Sequence, residues 1–335
     1  MHRESMNMDM TRRTLLAGTA VAASASALGI GAATPARAQG AAAPQQAPGF
    51  YRHKVGDIIV TQINDGERTF PLPDSFVRNQ KKGDVSKALE ASFLPGDKMT
   101  IPFNPIVVGT GGQLVLIDTG NGPQPQANAT VGLTARNLQA AGIDPKSINT
   151  VIISHFHGDH INGLRAADGS LAFPNAEIKV PAAEWAFWMS DENMNKVPEA
   201  AQGAFKNARR VFANLGDKVS RFDPNKEVAA GITAIPTLGH TPGHNSFVVA
   251  SGGRKLMVSA DVTNRPELFL RNPGWHVQFD MNAQQAEETR RKFYDMVVAE
   301  RLPVAGFHFP FPSLGHVEKV NGGYLLVPVA WSPVI

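Results

Sequence analysis

The chain of 335 residues contains no cysteine. Disulfides and thiolate metal sites are therefore both excluded, and an oxidising compartment costs the fold nothing. An excess of one charge is almost as scarce: 32 Lys and Arg stand against 29 Asp and Glu. The basic doublets Lys81-Lys82, Arg209-Arg210 and Arg290-Arg291 are scattered along the chain. They read as solvated surface and argue against a nucleic-acid partner. Strongly apolar runs are missing too. The stretch from Leu15 to Ala33 is long enough to span a bilayer, but it is rich in small and hydroxyl residues, so no stable membrane anchor is expected.

The first residues carry a different signal. Thr11-Arg-Arg-Thr-Leu-Leu16 is a twin-arginine pattern, and Ala36-Arg-Ala38 closes the weakly apolar stretch with an A-x-A cleavage site. Residues 1–38 are expected to be a Tat signal peptide, placing the protein in the periplasm or outside the cell. Residues 39–49, rich in Ala, Pro and Gln, read as a flexible lead-in. Residues 50–335 are then expected to form a single domain, since no repeat or linker divides them and about 300 residues suffice for one large core. Loss of the leader lowers the formal charge from +3 to about +1, which weakens the case for a polyanionic partner further.

The chemistry is concentrated in Ser154-His-Phe-His-Gly-Asp-His160. Imidazole nitrogens and carboxylates suit divalent zinc, and the H-x-H-x-D-H spacing lets one short loop feed two ions, His155 and His157 on one side, Asp159 and His160 on the other. The loop follows Asn149-Thr-Val-Ile-Ile-Ser154, a continuous apolar run that reads as a buried strand. Open α/β sheets bind ligands at that strand end. Three later positions share the grammar of apolar strand, polar residue, turn: His240 after Ile232–Leu238, Asp261 after Lys255–Ala260, and His308 after Val304–Phe307. Each alone reads equally well as an ordinary loop residue.

Elsewhere, Val55 to Ile63 and Pro105 to Ile117 predict early strands, the latter a hairpin turned at Gly109-Thr-Gly-Gly112. Ala283 to Glu300 predicts an outer helix with Ala286, Phe293, Met296 and Val297 inward and Glu287, Glu288, Arg290 and Arg291 outward. Thr130–Ala141 and Ala182–Ser190 are shorter helix candidates. In the second, Trp185, Trp188 and Met189 fall at helical spacing, which fits core packing or a pocket wall.

Taken together, His155-x-His157-x-Asp159-His160, His240 in Gly-His-Thr-Pro-Gly-His, Asp261 in Ser-Ala-Asp, and His308 resemble the metallo-β-lactamase superfamily in its dinuclear hydrolase form. Tyr51-Arg-His-Lys-Val-Gly-Asp57, Leu114-Val-Leu-Ile-Asp-Thr-Gly120 and Ala172-Phe-Pro-Asn-Ala176 extend the likeness to methyl parathion hydrolase and the related quorum-quenching lactonases. The resemblance implies an α/β fold of four layers, an αββα sandwich. It implies that His155, His157 and His240 hold one metal, that Asp159, His160 and His308 hold the other, and that Asp261 bridges them. Zinc β-lactamases generally lack that bridge, and flavodiiron oxidoreductases usually carry Glu where this chain has His157.

Hydrolysis is thus the expected chemistry, with two divalent ions, most simply Zn2+, sharing a hydroxide that attacks the substrate. Asp261 and Asp159 are the candidate catalytic carboxylates, Asp159 as proton shuttle. Asp118 and His244 are candidates to hold the ligand imidazoles in the correct tautomer, although Asp118 reads as well as a strand-end turn residue. Phe70, Phe76, Trp188, Phe269 and Trp275 are candidate pocket residues, with satellite core under a loop as the alternative. The expected substrate is a lactone or carboxylic ester, an N-acyl homoserine lactone among them, or alternatively a phosphotriester. A redox enzyme and an inert metal binder are the competing classes. Relatives suggest a homodimer.

Overall fold

The computed structural model describes residues 46–126 and 129–335. The expected signal peptide lies outside the described residues. The chain begins with β1 (Phe50–Val55), β2 (Ile58–Ile63), β3 (Gly66–Pro71), α1 (Lys82–Glu90), β4 (Lys98–Phe103), β5 (Ile106–Thr110) and β6 (Gln113–Ile117). It continues through α2 (Thr134–Ala140), β7 (Ile148–Ile152), α3 (Gly158–Ile161), β8 (Glu177–Pro181), α4 (Ala182–Trp188), α5 (Asp191–Lys196), α6 (Gly203–Phe212) and β9 (Val219–Phe222). The second half comprises β10 (Glu227–Ala229), β11 (Ile232–Pro236), β12 (Asn245–Ser251), β13 (Arg254–Val258), α7 (Pro266–Phe269), α8 (Ala283–Ala299), β14 (Pro303–Ala305), β15 (Leu314–Val320) and β16 (Gly323–Pro328).

Two seven-stranded sheets result, in the orders β1-β2-β5-β6-β7-β8-β9 and β10 through β16, while β3 and β4 pair as a separate ribbon. Successive side chains of the central strands enter different layers. Val107 and Leu116 face outward onto Leu138 of α2, Trp188 of α4 and Phe205 and Val211 of α6. Their neighbours Ile106, Val108, Val115 and Ile117 face inward onto Ile232, Phe247, Val249 and Val258 of the other sheet. That sheet's outer side packs Met257, Val304 and Val317 against Phe293, Tyr294 and Val297 of α8. The layers are therefore helix, sheet, sheet, helix, as the resemblance implied. A satellite core joins the ribbon to α1 and α7 through Leu72, Phe76, Leu89, Met99, Leu268 and Phe269. Among the described residues no helix is long and apolar enough to cross a membrane.

Several local expectations shift. The run Val55–Ile63 is not one strand: Gly56, at φ 59°, turns it, and Val55 pairs with Ile58. The predicted hairpin at Gly109–Gly112 turns on Gly111 and Gly112, at φ 58° and 74°, a conformation that L side chains disfavour. Of the expected lead-in, residues 39–45 lie outside the described residues, and its last residue is held: Gly49 N donates to Asn137 Oδ1 at 3.2 Å and Gly49 O accepts from Asn64 N at 2.8 Å. Asn282 caps α8 by accepting from Gln285 N at 3.1 Å. On that helix Arg290 is 1% exposed, not on the solvent face. It lies four residues after Ala286 and three before Phe293, so helical spacing carries it inward despite its charge.

Candidate metal centre

The seven expected ligands converge where β7, β11, β13 and β14 end. Asp118, just past β6, organises the first loop. Its backbone is left-handed, at φ 58°, and its carboxylate accepts from Ser154 N at 2.8 Å, Ser154 Oγ at 2.7 Å and His160 Nδ1 at 2.8 Å. Ser154 Oγ–H donates to Asp118, so the same oxygen accepts from His155 Nδ1 at 3.0 Å. His240 Nδ1 donates to Asp280 Oδ1 at 2.8 Å, and His308 Nδ1 donates to Pro102 O at 2.9 Å. Four imidazoles thus spend Nδ1–H on an outer partner and turn Nε2 inward. His157 alone presents Nδ1.

The inward atoms form three overlapping sets, His155/His157/His240, His155/His160/Asp261 and Asp159/His160/His308, the ligand atoms of each set lying within 4.8 Å of one another. Asp261 stands between the outer two: Oδ1 lies 3.2 Å from His160 Nε2, and Oδ2 lies 3.3 Å from His240 Nε2 and 3.0 Å from His308 Nε2. His157 Nδ1 is 3.1 Å from His155 Nε2 and 2.9 Å from His240 Nε2. Nitrogen lone pairs brought this close repel unless a proton or cation sits among them. His160 Nε2 and Asp261 Oδ1 are buried without a hydrogen-bond partner, a costly state that a metal ion would relieve. The donor set therefore fits two divalent cations, each with nitrogen and oxygen ligands.

Charge at the site follows from burial and proximity. Burial holds the His155 imidazole well below its usual range and brings His157 to about 3, so both present lone pairs at neutral pH. For Asp261, burial opposes ionisation, but the His308 and His160 imidazoles win and hold the carboxyl well below the ordinary carboxylate range. Asp159 is brought to about 2 in the same way, burial being overcome chiefly by His160. Ala260, at φ 45°, places Asp261. An alanine in that region stores strain of order 1 kcal/mol, as functional loops often do.

His244 does not touch the ligand imidazoles through hydrogen bonds. Its Nε2 accepts from the main-chain N of Asp261 at 3.0 Å, so Nδ1 carries the proton and donates to Thr237 O at 3.0 Å. It positions the backbone of Asp261. Two residues that sequence reasoning passed over act on the ligands from behind. Asp280 holds His240 and is itself held by Arg290 Nη2 at 3.2 Å. Glu184, buried on α4, accepts from Phe156 N at 2.9 Å, Trp188 Nε1 at 2.7 Å and Gly243 N at 2.7 Å.

A cavity of about 480 Å³ opens over His157, Asp159, His240, Asp261 and His308. Of the five expected pocket aromatics only Phe70 lines it. Phe76 and Phe269 are fully buried in the satellite core, which Trp275 also joins. Trp188 is buried behind the centre, its ring 6.1 Å from that of His157. The walls are instead Ile101, Phe103 and Phe279 on one side, with Arg68, Asn121, Gln124 and Asn162 supplying a polar edge. Cross-strand pairing explains the first wall. Arg68 opposes Ile101 and Gly66 opposes Phe103, so Arg68, Phe70, Ile101 and Phe103 share one ribbon face. The alternation of Gly66–Pro71 and Lys98–Phe103 was the available signal.

This fold and this cluster define a metallo-hydrolase type of centre, and the chain belongs to the metallo-beta-lactamase superfamily, whose family model matches residues 103–305. An N-acyl homoserine lactonase from Bacillus sp. is 27% identical over 197 residues, 52% of this chain and 70% of the relative. Among solved structures, the hydrolase AbOPH of the beta lactamase superfamily superposes with a TM-score of 0.79 at 25% identity, over 86% of this chain and all of that one. AidC, a dizinc quorum-quenching lactonase in complex with a product, gives 0.74 at 26% identity, over 85% and 98%.

Proposed function

We propose that the protein is a dinuclear zinc hydrolase that opens lactones or cleaves carboxylic esters, with N-acyl homoserine lactones as the leading substrate class. The observation that carries this reading is the pairing of two three-ligand sets across Asp261 with a cavity that is apolar on one wall and donor-rich on its edge. His155, His157 and His240 would hold one ion, and Asp159, His160 and His308 the other. Such ions supply Lewis acidity and lower the pKa of a water toward 7.

The chain's own groups do the rest. Phe70, Ile101, Phe103 and Phe279 exclude water from one side and suit an acyl chain. Arg68, whose Nη2 donates to Asn121 Oδ1 at 3.3 Å, lies where a substrate amide or carbonyl oxygen can accept from it. Asp159, with 23% of its side chain exposed against 5% for Asp261, is the carboxylate placed to reach the leaving alkoxide and carry a proton to it. Asp261, enclosed by the imidazoles of His160, His240 and His308, would be shared between the two ions.

The three rings Phe70, Phe103 and Phe279 favour a second reading, an aryl phosphotriester as substrate. Initial rates on an acyl homoserine lactone, an aryl ester and methyl parathion, each with and without a chelator, separate the two. A chelator-sensitive preference for the lactone is expected. Preference for the phosphotriester would make the second reading correct, and turnover indifferent to chelation would sink both.

A further inference from the structure

Glu184 is a buried carboxylate that the hydrolytic reading does not use. It is 0% exposed, and burial raises its pKa. No Lys, Arg or His forms an ion pair with it among the described residues. Three neutral N–H groups donate to it, with the Thr241 hydroxyl also beside it, and their placement is specific. Phe156 N lies between His155 and His157. Gly243 N closes the Gly239–His244 turn that carries His240. Trp188 Nε1 fixes the indole whose ring stands 6.1 Å from His157. The segments that carry all three members of one set are therefore referenced to a single side chain, whereas His308 has no such contact and Asp159 and His160 lie farther along the loop, His160 N donating to His157 O at 3.1 Å.

The turn is also brought unusually close to α4. A Cβ on Gly243 would lie 2.5 Å from Glu184 N and 2.9 Å from Ala183 C, both main-chain atoms. Only glycine permits this approach, so the Gly243–Glu184 contact is built into the backbone and does not depend on one rotamer.

We propose that Glu184 is a positioning residue for one ion only: it sets the spacing of His155, His157 and His240, and so controls metal affinity at the three-histidine set independently of the Asp159/His160/His308 set. The proposal rests on the dinuclear reading above. A carboxylate is required because two oxygens must accept from opposite directions. In Glu184→Gln the amide group replaces one acceptor with a donor, which then faces either Gly243 N–H or the Phe156 and Trp188 pair.

The test is Zn2+ content after dialysis against a graded series of chelator concentrations, with the melting of the metal-free proteins recorded in parallel. Wild type should hold two equivalents. Glu184→Gln should lose one of them at about tenfold lower chelator or less and retain the other, an effect of the size known for groups behind a metal ligand. In a His308→Ala background, which weakens the other set, the remaining ion should be lost on adding Glu184→Gln.

Equal weakening of both ions, or of neither, would overturn the proposal even with the dinuclear reading intact. A wild type that binds no Zn2+ would overturn that reading first. If Glu184→Gln fails to fold, Glu184→Asp keeps both acceptors but shortens the reach, and the same selective loss is expected.

Discussion

Asp280→Asn is the substitution whose outcome the geometry constrains most tightly. Asp280 is 1% exposed and has two partners, His240 Nδ1 at 2.8 Å and Arg290 Nη2 at 3.2 Å. Asparagine offers one oxygen. If it serves Arg290, the amide donates toward His240 Nδ1 and drives the proton to Nε2, the atom that faces the other ligands. If it serves His240, the amide NH2 faces the guanidinium, donor against donor; in either orientation Arg290 loses its counter-charge. Breaking a buried pair outright costs about 3–5 kcal/mol. Arg290 keeps the carbonyls of Val262, Pro273 and Trp275 at 2.9, 2.8 and 3.0 Å, so one unsatisfied group is the better measure, about 1–3 kcal/mol.

Urea unfolding of the metal-free variant should therefore lose about 2 kcal/mol, and zinc competition should show affinity weakened by about 10- to 100-fold. Arg290→Met is the control, since it removes the guanidinium and leaves His240 bonded to Asp280: stability should fall while zinc affinity stays near wild type. Unchanged stability and unchanged affinity in Asp280→Asn would mean that the His240–Asp280–Arg290 chain does not orient the ligand.

Other outcomes follow from His53, from the turn at Gly239 and from the leader. Burial lowers His53 to about 4, so between pH 6.5 and 4 the unfolded chain takes up a proton that the folded one refuses. Stability from this group is full above pH 6.5 and declines as pH falls, by at most about 1.4 kcal/mol per unit; chemical unfolding of His53→Gln should be measurably flatter over that window. Gly239 has φ 122°, and a Cβ there would lie 2.3 Å from Ala286 N. Gly239→Ala should cost at least about 2 kcal/mol in thermal or urea unfolding, and a neutral result would mean that the turn yields freely. Replacing Arg12 and Arg13 together by Lys should leave precursor in the cytoplasm, and normal export of that variant in fractionated cells would remove the Tat reading.

The convergence of the seven expected ligand side chains was legible because each is a polar residue released at the end of an apolar strand, a pattern that one-dimensional reading detects. Asp118 was legible for the same reason. Asp280 and Glu184 were not: Asp280 sits 40 residues from His240 on a segment with no periodic cue, and Glu184, although on a predicted helix, holds Phe156 N 28 residues and Gly243 N 59 residues away. Four of the five expected pocket aromatics were misplaced on a different ground, Phe70 alone lining the cavity. Phe76 and Phe269 in Pro- and Gly-rich segments read alike as wall or as core, and only the packing of the ribbon on α1 and α7 decides between them. Arg290 was misplaced by composition, although its spacing from Ala286 and Phe293 already put it on the inner face.

A chain without cysteine has no covalent staple, yet the seven converging side chains come from both halves, His155 to His160 following the first sheet and His240, Asp261 and His308 following the second. Ions bound there would tie segments 83 to 149 residues apart along the chain. Folding and metal uptake then become one linked equilibrium, and each ion adds about 2.7 kcal/mol when its free concentration is 100 times its dissociation constant. The temperature at which the protein unfolds would follow zinc supply in its compartment, so that a shortage of metal removes the enzyme itself as well as its activity.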